Sequence, residues 1–166
     1  MIPVNRPLVE EYTGTWCMWC PRGIAATEMM TERYGDLFVS AVYHSDDAMA
    51  PFTNEQFPFM IQGYPSCMVN RQMPPIDPFY ADVSGEKYNF AMPAYWSAIQ
   101  DQFTPWHIEA TAKWNGTEIQ VDSRVMNVMG HEGQAGDYTM MYQIVANGLH
   151  GEGEFWTQTN NYSGDT

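Results

Sequence analysis

Thr13-Gly14-Thr15-Trp16-Cys17-Met18-Trp19-Cys20-Pro21-Arg22 sets two cysteines two residues apart, between a strand-like run and a helix-like one. That spacing predicts both sulfurs in the first turn of a helix, where unpaired backbone N–H groups and the positive end of the helix dipole favour a thiolate. A thiol at the reference pKa of about 8.5 is about 3% ionised at pH 7, and one lowered to about 7 is half ionised. Nucleophilicity falls with pKa along a slope of about 0.4 to 0.5, so the gain in attack is only about threefold. Redox poise moves more, because a shift of about 1.5 units corresponds to roughly 45 mV for a two-electron couple. The pair reads as a redox dithiol. A static disulfide competes, as does half of a zinc site, which would need Cys67 and histidines to complete four ligands.

Working outward, Leu8-Val9-Glu10-Glu11-Tyr12 alternates as a strand does, and Gly14 ends it. After Pro21, Ala26, Met30 and Tyr34 recur at four-residue spacing and Gly35 supplies a C-terminal stop, which predicts a helix over one sheet face. The apolar run Leu37 to Tyr43 predicts a buried strand parallel to the first. Thr53-Asn54-Glu55-Gln56 matches a capping box for a short helix, and Gly63-Tyr64-Pro65-Ser66 turns the chain into a third strand, Cys67 to Asn70. Residues 71–92, with Pro74, Pro75 and Pro78, predict an inserted loop. From Pro93, Trp96, Ile99 and Phe103 mark a second helix that Pro105 closes.

Beyond Pro105 the period becomes two. Ile108, Ala110, Ala112 and Trp114 share one face, Asn115-Gly116 signals a hairpin, and Ile119, Val121 and Val125 lie on the return strand. Tyr138 to Ile144 predicts one more strand. The organisation expected is an α/β domain over 1–104 followed by a small antiparallel β-rich region over 105–166. The apolar face of that region needs the first domain, another chain or further sequence to cover it.

With 166 residues, 45% of them hydrophobic, the chain can bury a core as one domain or two small ones. A net charge of −13 argues against nucleic acid or an anionic membrane as a partner. Met1 to Gly14 lacks the basic start and apolar stretch of a signal peptide, so the expectation is a cytosolic protein or one whose leader is already gone. The ending Asn160 to Thr166 reads as a cut.

Glu-Glu-Tyr-Thr-Gly at 10–14, Trp16-Cys17-Met18-Trp19-Cys20-Pro21 on a strand-to-helix turn, Gly63-Tyr64-Pro65 and Val69-Asn70-Arg71 together resemble the thioredoxin-like superfamily. Within it the chain is most similar to the thioredoxin-like outer-membrane-protein family of Bacteroides-type bacteria, over Pro7 to about Phe103. The resemblance implies a thioredoxin-like sheet with flanking helices and location in the periplasm or cell envelope. It implies Cys17 as the exposed attacking cysteine, Cys20 as the resolving one, and a redox-active Cys17–Cys20 disulfide with no other cofactor. It also implies Pro65 as a cis-proline whose preceding Tyr64 backbone pairs with substrate, and Glu11 as the buried acid that exchanges protons with the resolving thiol. Glu10 lies on the opposite strand face. The usual amino-terminal strand and helix, and a fourth strand after Cys67, are not recognisable; residues 71–92 or the β-rich tail are expected in their place.

Trp16 and Trp19 flank the cysteines as a candidate apolar collar for substrate, although packing alone also accounts for Trp16. Cys67 reads as an inert packed thiol or a third redox partner. His44 follows a strand on the dithiol side of the sheet. The methionines, including Met29, Met30, Met140 and Met141, read as core filler or as soft copper ligands. The leading expectation is thiol-disulfide exchange with cysteines of exported proteins, linked to a redox partner protein. Its alternatives are an envelope binding or assembly module that associates with a partner or itself through the β-rich region, and a copper or zinc carrier.

Overall fold

A computed structural model describes residues 3–50, 61–72, 74–79, 92–128 and 138–162. Among these the chain is mixed α/β, with two helices and two small sheets. It divides into two units: Arg6–Asp101 with Ile144–Thr166, and Met1–Asn5 with Gln102–Gln143.

The larger unit is built on β1 (Leu8–Thr13), the middle strand of a sheet in which it runs parallel to β2 (Val39–His44) and antiparallel to β3 (Ser66–Val69). The middle position explains why Val9 through Thr13 are all buried. Period two still sorts them: Val9 and Glu11 pair with Val69 and Cys67, whereas Glu10 and Tyr12 pair with Met68 and Ser66. The apolar run at β2 predicts a buried strand, but among the described residues β2 lies at the sheet edge and leaves Val39 and Val42 exposed.

Helix α1 (Pro21–Tyr34) begins with Pro21, whose fixed φ suits the first helical position, and ends where Gly35, at φ 53°, donates its N–H to the Thr31 carbonyl. Its Ala26 and Met30 join Val9, Phe38, Cys67 and Val69 in one core with Met92, Trp96 and Ile99 of α2 (Met92–Gln100). Burying a side chain of the size of Val or Met contributes about 1.5–3 kcal/mol relative to exposing it. Tyr34 packs on Trp96 with ring centroids 4.3 Å apart. The expected continuation of α2 to Phe103 does not occur: the helix stops at Gln100 and Phe103 is exposed.

The turn after β3 passes through two left-handed residues, Asn70 at φ 49° and Arg71 at φ 53°. Asparagine tolerates this region well, and Asn70 also closes the sheet end, accepting from Leu8 N at 2.7 Å and donating its own N–H to the Leu8 carbonyl at 2.8 Å. Arginine tolerates it less well. The offsetting interaction is a two-bonded pair with buried Glu10, Nε to Oε2 and Nη2 to Oε1, both 2.6 Å. Farther on, Ile76 forms a single antiparallel bridge with Cys67, so part of the 71–92 loop extends the sheet edge beside β3. Residues 73 and 80–91, the capping box at 53–56 and the glycine-bearing stretch from Gly130 to Gly136 lie outside the described residues.

The smaller unit is a hairpin of β4 (Trp106–Trp114) and β5 (Ile119–Asn127), nine residues each. Ile108, Ala112 and Trp114 pair with Val125, Val121 and Ile119, which gathers the expected apolar positions on one face. The turn is shifted by one residue from the expected Asn115-Gly116. Asn115 pairs with Glu118, the loop residues are Gly116 and Thr117, and Gly116 takes φ 101°. Asn115 fixes this offset because its side-chain oxygen accepts from the Thr117 and Glu118 amides. No strand forms over Tyr138–Ile144. Tyr138 instead packs edge-on against Trp106, and the Tyr142 hydroxyl meets that of Ser123.

Candidate functional site

The dithiol sits in a turn leading into α1 rather than inside the helix. Cys17 N donates to Gly14 O at 3.0 Å and Cys20 N to Cys17 O at 3.1 Å, while Cys20 is the N-cap, accepting from Gly23 N at 2.9 Å. The spacing predicts both cysteines in the first turn, but α1 starts only at Pro21, after them; Pro21 has no N–H to donate to a preceding turn, so it sits at the first helical position, where none is needed. Cys17 and Cys20 are joined as a disulfide, their Cα atoms 5.4 Å apart.

Side chains from β2, the turn after it and the loop before β3 hold the approach to this turn. The Trp16 indole N–H donates to the Ser45 carbonyl at 2.7 Å, and its ring meets Tyr64 edge-on at 5.3 Å. Gly14 lies beneath that indole, where a Cβ would overlap it. Asp47 ties down the backbone, accepting from Thr15 N at 2.8 Å and Met49 N at 2.8 Å, with His44 Nδ1 at 2.6 Å. Burial opposes ionisation of Asp47, but the hydrogen bonds from His44, Thr15 and Met49 hold its carboxyl below the usual value. His44 thus orients Asp47 at the base of the dithiol loop. The Tyr64–Pro65 peptide bond is cis.

Glu11 is buried on β1 against the first turn of α1. A Cβ on Gly23 would overlap Glu11 Oε1 and stand 3.0 Å from Pro65 Cβ, so Gly23 is what lets the carboxylate, the helix and Pro65 meet. Burial pushes the Glu11 carboxyl up from 4.5 to about 7, against the opposing effect of the Thr27 hydroxyl. Oε1 has no hydrogen-bond partner among the described residues. A buried carboxyl that titrates near neutrality is suited to take up and release a proton. Glu10, on the other face, is held by Arg71 and accepts from the Tyr43 hydroxyl at 3.0 Å. Cys67 is a free, buried thiol, and burial pushes its pKa up, which suits an inert packed group.

The expectation of an exposed Cys17 is overturned: it is 5% exposed, between Trp16, Met18 and Trp19, each more than 40% exposed. Against this loop lies the segment 155–162. Thr159 N donates to Thr15 O at 2.7 Å, Asn161 N to Met18 O at 3.0 Å, and the Gln158 amide to Cys17 O at 2.9 Å. Tyr162 stacks edge-on with Trp19 at 5.7 Å, and its hydroxyl accepts from Arg22 at 3.3 Å. Arg22 also pairs with Asp77. The expected β-rich region of 105–166 includes this segment, and nothing in its composition signals a contact 140 residues away. Thr27 and Gly23 could have been found from helical spacing, since both follow Cys20 on one side of α1.

No family model matches the chain, and no curated protein matches it. A crystal structure of a protein from Agrobacterium tumefaciens aligns with a TM-score of 0.44 and 15% identity, covering 73% of this chain. The chain spans 57% of that protein's length.

Among the described residues no group of three or more His, Cys, Asp or Glu side chains could hold a metal ion. No described helix is long and apolar enough to cross a membrane.

Proposed function

We propose that this chain is a thiol-disulfide oxidoreductase of the thioredoxin-like kind, acting on cysteines of exported or cell-envelope proteins. The observation that carries the reading is the Cys17–Cys20 disulfide at the start of α1, with Pro65 and the raised carboxyl of Glu11 both against Gly23, one helical turn from Cys20. The envelope setting and the thioredoxin-like arrangement rest on the sequence resemblance.

In this reading a substrate thiolate attacks Cys17 Sγ, the Cys17–Cys20 bond breaks, and its electron pair leaves on Cys20. Glu11 delivers the proton that Cys20 takes up. A second substrate thiolate then attacks the substrate sulfur of the mixed disulfide, and Cys17 departs as a thiolate. Substrate is oxidised by two electrons and the protein dithiol is the product; the reverse sequence reduces a substrate disulfide. Trp16, Trp19 and Tyr64 line the approach. Cys17→Ser and Cys20→Ser variants in insulin reduction and in refolding of a scrambled disulfide substrate test the proposal. Loss of turnover in both supports it, and wild-type rates in both exclude it. A redox titration of the pair orders oxidase, isomerase and reductase roles.

A second reading, a binding or assembly module, is favoured by one observation. Ile108, Trp114, Ile119, Val121 and Val125 share one face of the hairpin and are all exposed. Sedimentation over a range of concentrations tests self-association through that face, with Trp114→Ser as the variant expected to abolish it.

A further inference from the structure

We propose that residues 155–162 form a detachable internal strap over the dithiol loop, which must lift before a protein-sized thiol or disulfide can reach Cys17. The proposal rests on the oxidoreductase reading for its purpose, though not for its test.

The strap is seated by hydrogen bonds to the loop's backbone rather than by a packed core. Its Thr159 and Asn161 amides and Gln158 side chain take the carbonyls of Thr15, Met18 and Cys17, three acceptors on the loop that carries the attacking sulfur. Both backbone partners ascend together, 159 with 15 and 161 with 18, so the strap runs alongside the loop as an extended peptide does. Upstream, the Phe155 carbonyl accepts from Ala48 N and from the Thr15 hydroxyl. Downstream, Tyr162 closes the strap on Trp19 and Arg22. Beneath these contacts Cys17 is 5% exposed amid exposed neighbours.

The same features make the seat shallow. Between 155 and 162 only Trp156, Gln158 and Tyr162 are half-buried and the rest are exposed. Trp156 spends its ring against its own chain at Gly151. A cavity of about 380 Å³ opens beside the strap, lined by Asp46, Asp47, Glu152 and Glu154 among others. A segment with little buried apolar area and hydrogen bonds near solvent belongs to the part of a protein that opens locally, well below the cost of global unfolding. The carbonyls it leaves on opening are those an extended substrate segment could take in its place. The strap is therefore both a shield for the sulfur and an occupant that substrate displaces.

The test uses the full oxidised chain and measures reduction of the Cys17–Cys20 disulfide by dithiothreitol and by reduced thioredoxin. In each case a reductant thiolate attacks Cys17 Sγ and Cys20 leaves as a thiolate; the reductant's second thiolate then attacks the reductant sulfur of the mixed disulfide, closing the reductant's own disulfide as Cys17 leaves as a thiolate. Thr159→Pro removes the N–H given to Thr15, Gln158→Ala removes the bond to Cys17, and Tyr162→Phe keeps the ring on Trp19 while losing the hydroxyl. Each lost hydrogen bond is expected to raise the rate about fivefold, with the larger gain for the protein reductant. Unchanged rates in folded variants overturn the proposal. Hydrogen exchange of the unaltered chain supplies a reading that needs no variant. Thr159 and Asn161 amides exchanging well before those of β1 support the strap, and exchange only together with β1 overturns it. A chain that fails to turn over insulin but shows these rate changes loses the oxidoreductase reading and keeps the strap. A chain that turns over insulin without them does the opposite.

Discussion

The Thr27 hydroxyl of α1 donates to Glu11 Oε2 of β1 across 2.7 Å, the hydrogen bond that opposes the effect of burial on this carboxyl. Because the hydroxyl stabilises the ionised form, Thr27→Val is expected to raise the Glu11 pKa by about one to two further units. Carboxyl carbon chemical shifts followed over pH measure it. A Glu11 titration unmoved by Thr27→Val would show that the hydroxyl does not set the ionisation.

Glu11 also couples folding to pH. Its pKa is higher in the folded chain, about 7, than the ordinary 4.5, so the folded state binds the proton more tightly. The stabilisation is fully present below about pH 4.5 and is lost as pH rises through about 7, on the order of 3 kcal/mol over that window. Glu11→Gln keeps the neutral shape without the titration, so urea unfolding midpoints of the variant should lose that slope between pH 4.5 and 8. Parallel slopes in both chains would place the folded pKa of Glu11 near its unfolded value.

Gly23→Ala puts a Cβ into the Glu11 carboxylate and is expected to destabilise the fold by about 1–3 kcal/mol, the usual range for overpacking. Glu11→Ala in the same chain vacates that space and should recover much of the loss. Denaturant unfolding of both single variants and the double one gives the coupling, and additive costs would mean that the two side chains do not meet.

Arg71→Met leaves Glu10 with a buried charge and the Tyr43 hydroxyl but without its bidentate partner. Removing one member of such a pair is expected to cost about 3–5 kcal/mol at pH 7. Adding Glu10→Gln should return a large part of it. Unfolding free energies for the two variants check the order, and an Arg71→Met chain as stable as the parent would assign the pair to the solvated surface.

What was legible from residues alone were the features that depend on neighbours in the chain. Four-residue spacing with Pro21 before and Gly35 after marks α1, alternation marks β1 and both hairpin strands, and the Cys17–Cys20 spacing marks the dithiol, because helix pitch, strand pleat and proline geometry are local. Local rules also misplace by one residue where a side chain arbitrates, as the Asn115 oxygen does at the hairpin turn. Which strand lies at the sheet edge was hidden: the apolar composition of β2 is that of a central strand, and only the order of pairing exposes Val39 and Val42.

The choice of Glu11 came from the resemblance, with strand parity setting Glu10 on the other face, yet the partners of the two were not legible. Arg71 is 61 residues from Glu10 and reaches it through two left-handed residues, and Gly23 matters only because α1 packs onto β1 there. The access of Cys17 was the least readable property of all. The segment beside it is held by carbonyls at 15, 17 and 18 that accept from the Thr159 and Asn161 amides and the Gln158 side chain, partners some 140 residues away that local pattern does not reveal. Local chemistry chose the sulfurs; long-range contacts chose what lies against the loop that carries them.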